Sequence, residues 1–292
     1  DDFVPKASAF TRKRRAARKQ LLAIANALTG DHFDDNTLIV STSGRYEFRN
    51  KGLDVFIDSM NRLRSDSRLK RKIVAFIEVP AWVKEPRRDL QERLASGREF
   101  DTPLPQPQLT HWLNDQDNDR ALGMMRQLNI TNDKAEKVKI IFIPSYLMGD
   151  DAVVNLPYYD VLPGHDLCIY PSYYEPWGYT PLEAVAFKVP CITTDLAGFG
   201  LWVNGEVGHS STIDDGVQVV HRTDSNYNEV VEETKNTVVH FSLLNSDEVK
   251  KVRERAFRLS KKALWQHFIT YYYKAYNIAL RKAEARKENE LI

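Results

Sequence analysis

The sequence predicts an α/β fold, a Rossmann-like parallel sheet with helices on both faces. Two observations carry that prediction. Six short runs rich in β-branched and other apolar residues recur along the chain, at residues 37–42, 72–79, 138–143, 166–170, 189–194 and 216–221. Between them lie stretches with apolar residues at helical spacing, such as Leu53, Phe56, Ile57, Met60 and Leu63. Strands separated by helices imply right-handed crossovers and a sheet covered on both faces. Ligands of such sheets bind at the carboxyl ends of the strands, so chemistry is expected in the loops after Thr42, Ile143, Tyr170 and Thr194.

The opening segment, residues 6–28, reads as a helix because Leu21, Leu22, Ala25 and Leu28 repeat at intervals of three and four. Its basic cluster, Arg12, Lys13, Arg14, Arg15, Arg18 and Lys19, is expected to be a solvated face or to face another domain. Residues 80–114 break the pattern with charges and with Pro103, Pro105 and Pro107. They read as an irregular insertion with no continuous sheet element and some helix around residues 89–96, either functional, an oligomer contact or a mobile loop. The last stretch, residues 247–287, is helical and broken at most once. Its end carries Trp265, Phe268, Ile269, Tyr272, Tyr276 and Leu280 on one stripe, which needs a partner surface on this domain or another. The chain thus divides into a Rossmann-like domain, 1–264, and a terminal helix, 265–292.

Composition narrows the functional classes. At 292 residues, with 42% hydrophobic and 11% aromatic residues, the chain can bury a large core, which excludes a disordered protein. Its 41 basic and 40 acidic residues leave a formal charge of +1, so no global field favours nucleic acid or an anionic membrane. There is neither a long apolar run nor a signal-peptide pattern. Cys168 and Cys191 lie in apolar runs, as buried thiols of a reducing compartment would, and the expected location is cytoplasmic. The start at Asp1 rather than Met is expected of a segment of a longer protein, or equally of a processed N-terminus.

Two constellations could carry chemistry. The first is Ser43-Gly44-Arg45-Tyr46-Glu47-Phe48-Arg49-Asn50-Lys51-Gly52, between a strand and an amphipathic helix. Gly44 permits a sharp turn, and Arg45 and Lys51 place two cations at the sheet's carboxyl edge, where they suit a diphosphate. On spacing alone they are equally two exposed surface cations. The second runs from Tyr170 to Glu183, Tyr-Pro-Ser-Tyr-Tyr-Glu-Pro-Trp-Gly-Tyr-Thr-Pro-Leu-Glu, and turns through Gly178 into a helix. Thr180, Pro181 and Glu183 fit the N-cap, first and third helical positions of a capping box, so Glu183 has a structural reading beside a functional one. The same helix start offers free amides and a dipole to an anion. Glu175 lies outside that cap. A carboxylate there suits sugar hydroxyls or a developing positive charge, or is a surface residue of the loop. No metal-binding cluster is visible.

These two strings, followed by Asp195-Leu-Ala-Gly-Phe-Gly200, resemble the animal, fungal and related bacterial glycogen synthases. Those are retaining transferases that use UDP-glucose and are built from two Rossmann domains, the GT-B architecture. The resemblance implies that this chain is the C-terminal, donor-binding half, without the N-terminal domain that supplies the catalytic histidine and most of the acceptor surface. By resemblance Glu175 and Glu183 are the paired acids of an E-x7-E motif, the first beside the transferred sugar and the second near the ribose. Arg45 and Lys51 match the basic pair on the donor phosphates. Gly44, Trp177, Gly178 and the amides of Tyr179 and Thr180 complete the cradle. Tyr146 and Tyr158 match the aromatics that bracket the uracil, with core packing the alternative for each ring.

The implied partners are UDP-glucose as donor, glycogen or another α-1,4-glucan as acceptor, the N-terminal domain of the same protein, and a second copy in a homo-oligomer, with no cofactor, nucleic acid or membrane. The final helix is implied to return to the N-terminal domain. Animal and fungal members also carry an arginine-rich helix that senses glucose 6-phosphate. Here Arg253, Arg255, Arg258, Lys261 and Lys262 keep that pattern only in part, and an ordinary solvated face is expected. The competing readings are a non-catalytic module that binds nucleotide or glucan, and a transferase that uses ADP-glucose.

Overall fold

The computed structural model describes residues 3–290, with side chains through Arg286; Asp1, Asp2, Leu291 and Ile292, at the outer ends of the two predicted spans, lie outside the described residues. Its strands are β1 (Leu38–Ser43), β2 (Ile73–Glu78), β3 (Val83–Pro86), β4 (His111–Leu113), β5 (Val138–Ile143), β6 (Leu167–Ile169), β7 (Cys191–Thr194) and β8 (Val217–Val220). The helices are α1 (Ala7–Thr29), α2 (Leu53–Leu63), α3 (Arg88–Ser96), α4 (Arg120–Gln127), α5 (Tyr158–Val161), α6 (Tyr179–Ala186), α7 (Gly198–Val207), α8 (Tyr227–Leu243), α9 (Ser246–Lys262) and α10 (Trp265–Glu290).

All six predicted strands join one parallel sheet in the order β5-β2-β1-β6-β7-β8. Every residue of β1, β2 and β5 is buried, as expected for strands covered on both faces. One face packs Ile39, Val74 and Ile141 against α1. The other packs Val40, Ala75 and Ile140 against α2, α4 and α8. The chain builds outward from β1 through β2 to β5, then returns to β1's other side and builds outward again from β6. The order therefore reverses between β1 and β6, and their carboxyl ends flank the crevice where such sheets bind ligands.

Only two residue pairs join β1 to β6, Val40 with Leu167 and Ser41 with Cys168. A buried ion cluster reinforces that short seam from below. The Asp166 carboxylate accepts from Arg14 at 2.5 Å, Arg18 at 2.7 Å, Arg253 at 3.2 Å and the Ile39 amide at 2.9 Å. Spare guanidinium donors go to the carbonyls of Pro163, His165, Thr37 and Lys188. Burial alone would raise the Asp166 carboxyl, but the three arginines outweigh it and hold it well below the usual carboxylate range. The helix carrying Arg14 and Arg18 and the one carrying Arg253 are thus fastened to the sheet through one side chain. This corrects the expectation of solvated faces: Arg14, Arg18 and Arg253 are structural, while Arg12, Arg15 and Lys19 stay exposed.

Residues 80–114 also differ from expectation. They contain a two-stranded antiparallel ribbon of β3 and β4, beside α3, and Leu109 forms a parallel bridge to Phe142 on the outer edge of β5. The organising residue is Arg87, whose fully buried guanidinium donates to the carbonyls of Pro105, Gln106 and Leu109, pairs with Asp89 and lies 4.4 Å over Trp112. The prolines that break the pattern thus belong to an extended segment that presents carbonyls to Arg87 and covers a sheet edge. Cys168 and Cys191 pair across β6 and β7 as buried free thiols. No helix among the described residues is long and apolar enough to cross a membrane.

Replacing Asp166 by Asn leaves three buried arginines without their counter-charge and is expected to lower unfolding stability by about 3–5 kcal/mol at pH 7. Because the folded-state pKa is depressed, the contribution is complete above the ordinary carboxylate pKa of about 4 and is lost as pH falls through the folded value. Urea titrations of parent and Asp166→Asn should therefore converge at acid pH, and a constant gap from pH 7 to pH 3 would contradict this role.

Candidate functional site

Two loops leave the switch point, residues 44–52 after β1 and residues 170–178 after β6. In the first, Gly44 takes φ 130°, and Tyr46 turns inward to donate to Asp119 at 2.7 Å. Arg45 points to solvent, its side chain 76% exposed, with Glu47 at 3.0 Å. Gly52 has φ 69°, and a Cβ there would collide with the carbonyl oxygen of Pro171. That absence of a side chain lets the start of α2 press against the β6 loop, where the Tyr173 amide donates to the Asn50 carbonyl at 2.7 Å. Lys51 and Glu175, distant in sequence, consequently meet as an ion pair whose side chains are only 14% and 19% exposed.

A third loop, after β7, holds the other flank of Glu175. The Glu175 amide donates to the Leu196 carbonyl at 3.2 Å, and its own carbonyl accepts from Gly198 at 3.1 Å. Asp195 in that loop accepts from the exposed His221 at 2.5 Å and from the Arg222 amide at 2.9 Å. Hydrogen bonding to Asp195 raises the His221 pKa. Asp195 lies in the string that carries the family resemblance, whereas His221 and Arg222 are marked in the sequence only by their place directly after the last strand.

The helix after the second loop begins earlier than the capping pattern suggests. Gly178, at φ 110°, is the N-cap, and Tyr179, Thr180 and Pro181 are the first three helical residues. A Cβ on Gly178 would lie 3.2–3.5 Å from Pro181, Glu175 and Phe199, so the turn closes tightly at that residue. Thr180 is therefore not the cap and Glu183 belongs to no capping box. No side chain caps this helix, which leaves its first-turn amides, Tyr179 and Thr180 among them, to an incoming acceptor. Glu183 instead accepts from the Tyr159 hydroxyl at 2.9 Å, and burial raises its carboxyl pKa despite that bond.

The remaining expected residues divide. Tyr146, after β5, is 72% exposed. Tyr158 sits under the end of β1, its hydroxyl 3.0 Å from that of Ser43 and its ring half-buried against two core clusters. The Trp177 ring is committed elsewhere, packed edge-on against Phe199 at 5.9 Å and against Phe268 of α10 at 5.3 Å. That packing fastens the start of α10. Among the described residues, no group of three or more His, Cys, Asp and Glu is placed to hold a metal ion.

Comparison with known proteins gives this geometry its context. The family model described as glycogen synthase matches residues 27–87 and 89–291. The chain belongs to the glycogen synthase family. Among curated family members, the glycogen [starch] synthase of Neurospora crassa is 32% identical over 86% of this chain and 43% of its own length. Isoform 1 of Saccharomyces cerevisiae is 29% identical over 88% and 45%, and the liver enzyme of Mus musculus 27% identical over 85% and 42%. The chain thus spans less than half the length of the glycogen synthases it matches. A solved structure of WaaG, a glycosyltransferase involved in lipopolysaccharide biosynthesis, aligns with 85% of this chain and 46% of its own at a TM-score of 0.46 and 14% identity, a likeness too loose to bear on fold or function.

Gly52→Ala should force the two loops apart, through both the collision with Pro171 and the strained backbone. A loss of at least about 2 kcal/mol is expected in urea unfolding. A change within about 0.5 kcal/mol would show that the start of α2 and the β6 loop are not in the contact described.

Proposed function

We propose that this chain is the donor-binding half of a retaining glucosyltransferase that moves glucose from UDP-glucose to the non-reducing end of an α-1,4-glucan. The observation that carries the reading is the Lys51–Glu175 pair at the β1/β6 switch point, beside the uncapped start of α6. A cation and an acid in contact, next to free helix amides, are the parts needed for a departing diphosphate and for the sugar carbon it leaves.

In this reading the donor diphosphate draws Arg45 and Lys51 to its oxygens, while the amides of Tyr179 and Thr180 and the helix dipole stabilise the charge of the leaving group. Lys51 exchanges one anion for another, so Glu175 is released when the phosphates arrive. Its carboxylate then faces the positive charge that develops at the anomeric carbon, or orients the sugar hydroxyls. Glu183 lies toward the ribose, and Tyr146 and Tyr158 bracket the base. No cofactor takes part.

The acceptor enters a crevice shared with an N-terminal domain of the same protein. Support for that partner comes from α10, where Tyr272, Tyr276, Ile278 and Leu280 are exposed beyond the turn anchored by Phe268. Buried free thiols and the lack of a membrane-spanning helix among the described residues support a cytoplasmic setting.

A binding module would need the cations and the helix start but not the acid. In the complete protein, Glu175→Gln should therefore lower kcat by at least about 100-fold without weakening the affinity for UDP, since it removes an interaction made in the transition state and frees Lys51 for the phosphates. Arg45→Ala should lower kcat/KM about 10- to 100-fold, as expected for a lost charge-assisted contact. Unchanged kcat in Glu175→Gln would favour the module, and faster turnover on ADP-glucose than on UDP-glucose would displace the donor assignment.

A further inference from the structure

Two consecutive tyrosines at the start of α5 address different parts of the switch point. The Tyr158 hydroxyl lies 3.0 Å from that of Ser43 at the end of β1, while the Tyr159 hydroxyl donates to Glu183 Oε1 on α6 at 2.9 Å. The donor reading uses Tyr158 and Glu183 and leaves Tyr159 without a part.

Helix α5 is short but firmly held. The Tyr158 amide donates to the Leu147 carbonyl at 2.9 Å, and Lys13 of α1 pairs with Asp160. The turn that follows lies so close to α1 that a Cβ on Gly164 would come within 2.7 Å of the Ala17 Cβ. The Tyr159 ring is fixed in its turn. Phe187 stacks on it with centroids 5.4 Å apart and planes inclined by 11°, and Phe3 with centroids 5.2 Å apart and planes inclined by 29°. Such stacking sets the ring plane, so the hydroxyl is aimed at Glu183 before any ligand arrives.

Glu183 is otherwise lightly constrained. Among the described residues its Oε2 makes no hydrogen bond, and that atom is not sealed from solvent. Burial pushes the carboxyl pKa up, and the bond from Tyr159 opposes that push by favouring the ionised form. An ionised carboxylate accepts at both oxygens. Tyr159 therefore occupies Oε1 and leaves Oε2, in a set place, for a hydroxyl of a ligand. A flexible side chain that would have to be ordered on binding is ordered beforehand.

We propose that Tyr159 is a positioning residue of the donor site: by fixing Glu183 it makes that site select a ribose over a 2′-deoxyribose. The inference rests on the donor reading, which puts Glu183 toward the ribose. A ribose 2′-hydroxyl donates to Oε2, whereas a deoxyribose covers that oxygen without offering it a donor. Without the Tyr159 hydroxyl the carboxylate is free to turn toward water. The preference then disappears, while the weaker binding of the deoxynucleotide stays.

The test is calorimetric titration of the complete protein with UDP and with 2′-deoxy-UDP. The parent should bind UDP at least about tenfold more tightly, the scale of one hydrogen bond to a charged group. Tyr159→Phe keeps the ring and its stacking. It should cut the preference to about threefold or less by weakening UDP alone, with the affinity for 2′-deoxy-UDP within about twofold of the parent's. In a Glu183→Ala background the same substitution should cause no further loss of UDP affinity, because the two residues act as one unit. A parent without preference, or a preference that Tyr159→Phe leaves intact because both nucleotides weaken equally or neither does, overturns the proposal. UDP binding without a preference would remove the role of Tyr159 alone, whereas binding of neither nucleotide by the parent would remove the donor reading with it.

Discussion

The seam between β1 and β6 is the constraint on which the rest depends. Two residue pairs are all that join these strands, yet the reversal of strand order places the ligand crevice there. The seam is held by contacts outside the ladder. At one end the Asp166 carboxylate binds three arginines from two distant helices and the amide of Ile39. At the other, Gly52 lets the start of α2 touch Pro171. Desolvating four charged groups is costly, and the arrangement is favourable only because their remaining donors are taken up by carbonyls. Such a cluster tolerates little rearrangement, which is useful beneath a site whose reacting groups come from separate loops.

The same logic accounts for the charges above the seam. Lys51 and Glu175 are both largely shielded from water, and each lowers the cost of burying the other. The pair is neutral as a unit, and in the proposed function a diphosphate would take Lys51 as its partner and leave the Glu175 carboxylate free to act. Arg45, exposed and lightly held, can reorganise at little cost. A preset pair and a mobile cation together suit a ligand that must be bound and then released.

Much of this was legible in the sequence because it depends on local pattern. The six sheet strands follow from apolar runs, and their alternation with helices gives the parallel sheet. The loops at Arg45 and Glu175 are marked by their place after strands. What was not legible depends on distance. Arg14, Arg18 and Arg253 look like any solvated helix charges until the fold brings Asp166 among them. The segment around Pro103, Pro105 and Pro107 looks irregular until Arg87 collects its carbonyls. The helix start at Gly178 was displaced because close packing against Phe199 and Glu175 outweighed a local capping pattern. The packing of Trp177 against α7 and α10 likewise rests on partners that no local spacing reveals.

The proposed function makes one central claim, that the crevice above the β1/β6 seam holds a nucleoside diphosphate sugar. Calorimetric titration of this chain with UDP and with ADP, using Arg45→Ala as the comparison, tests it most directly. Saturable binding of UDP, tighter than that of ADP and weakened by the substitution, is expected. Binding of UDP that Arg45→Ala leaves unchanged, or a preference for ADP, would contradict it.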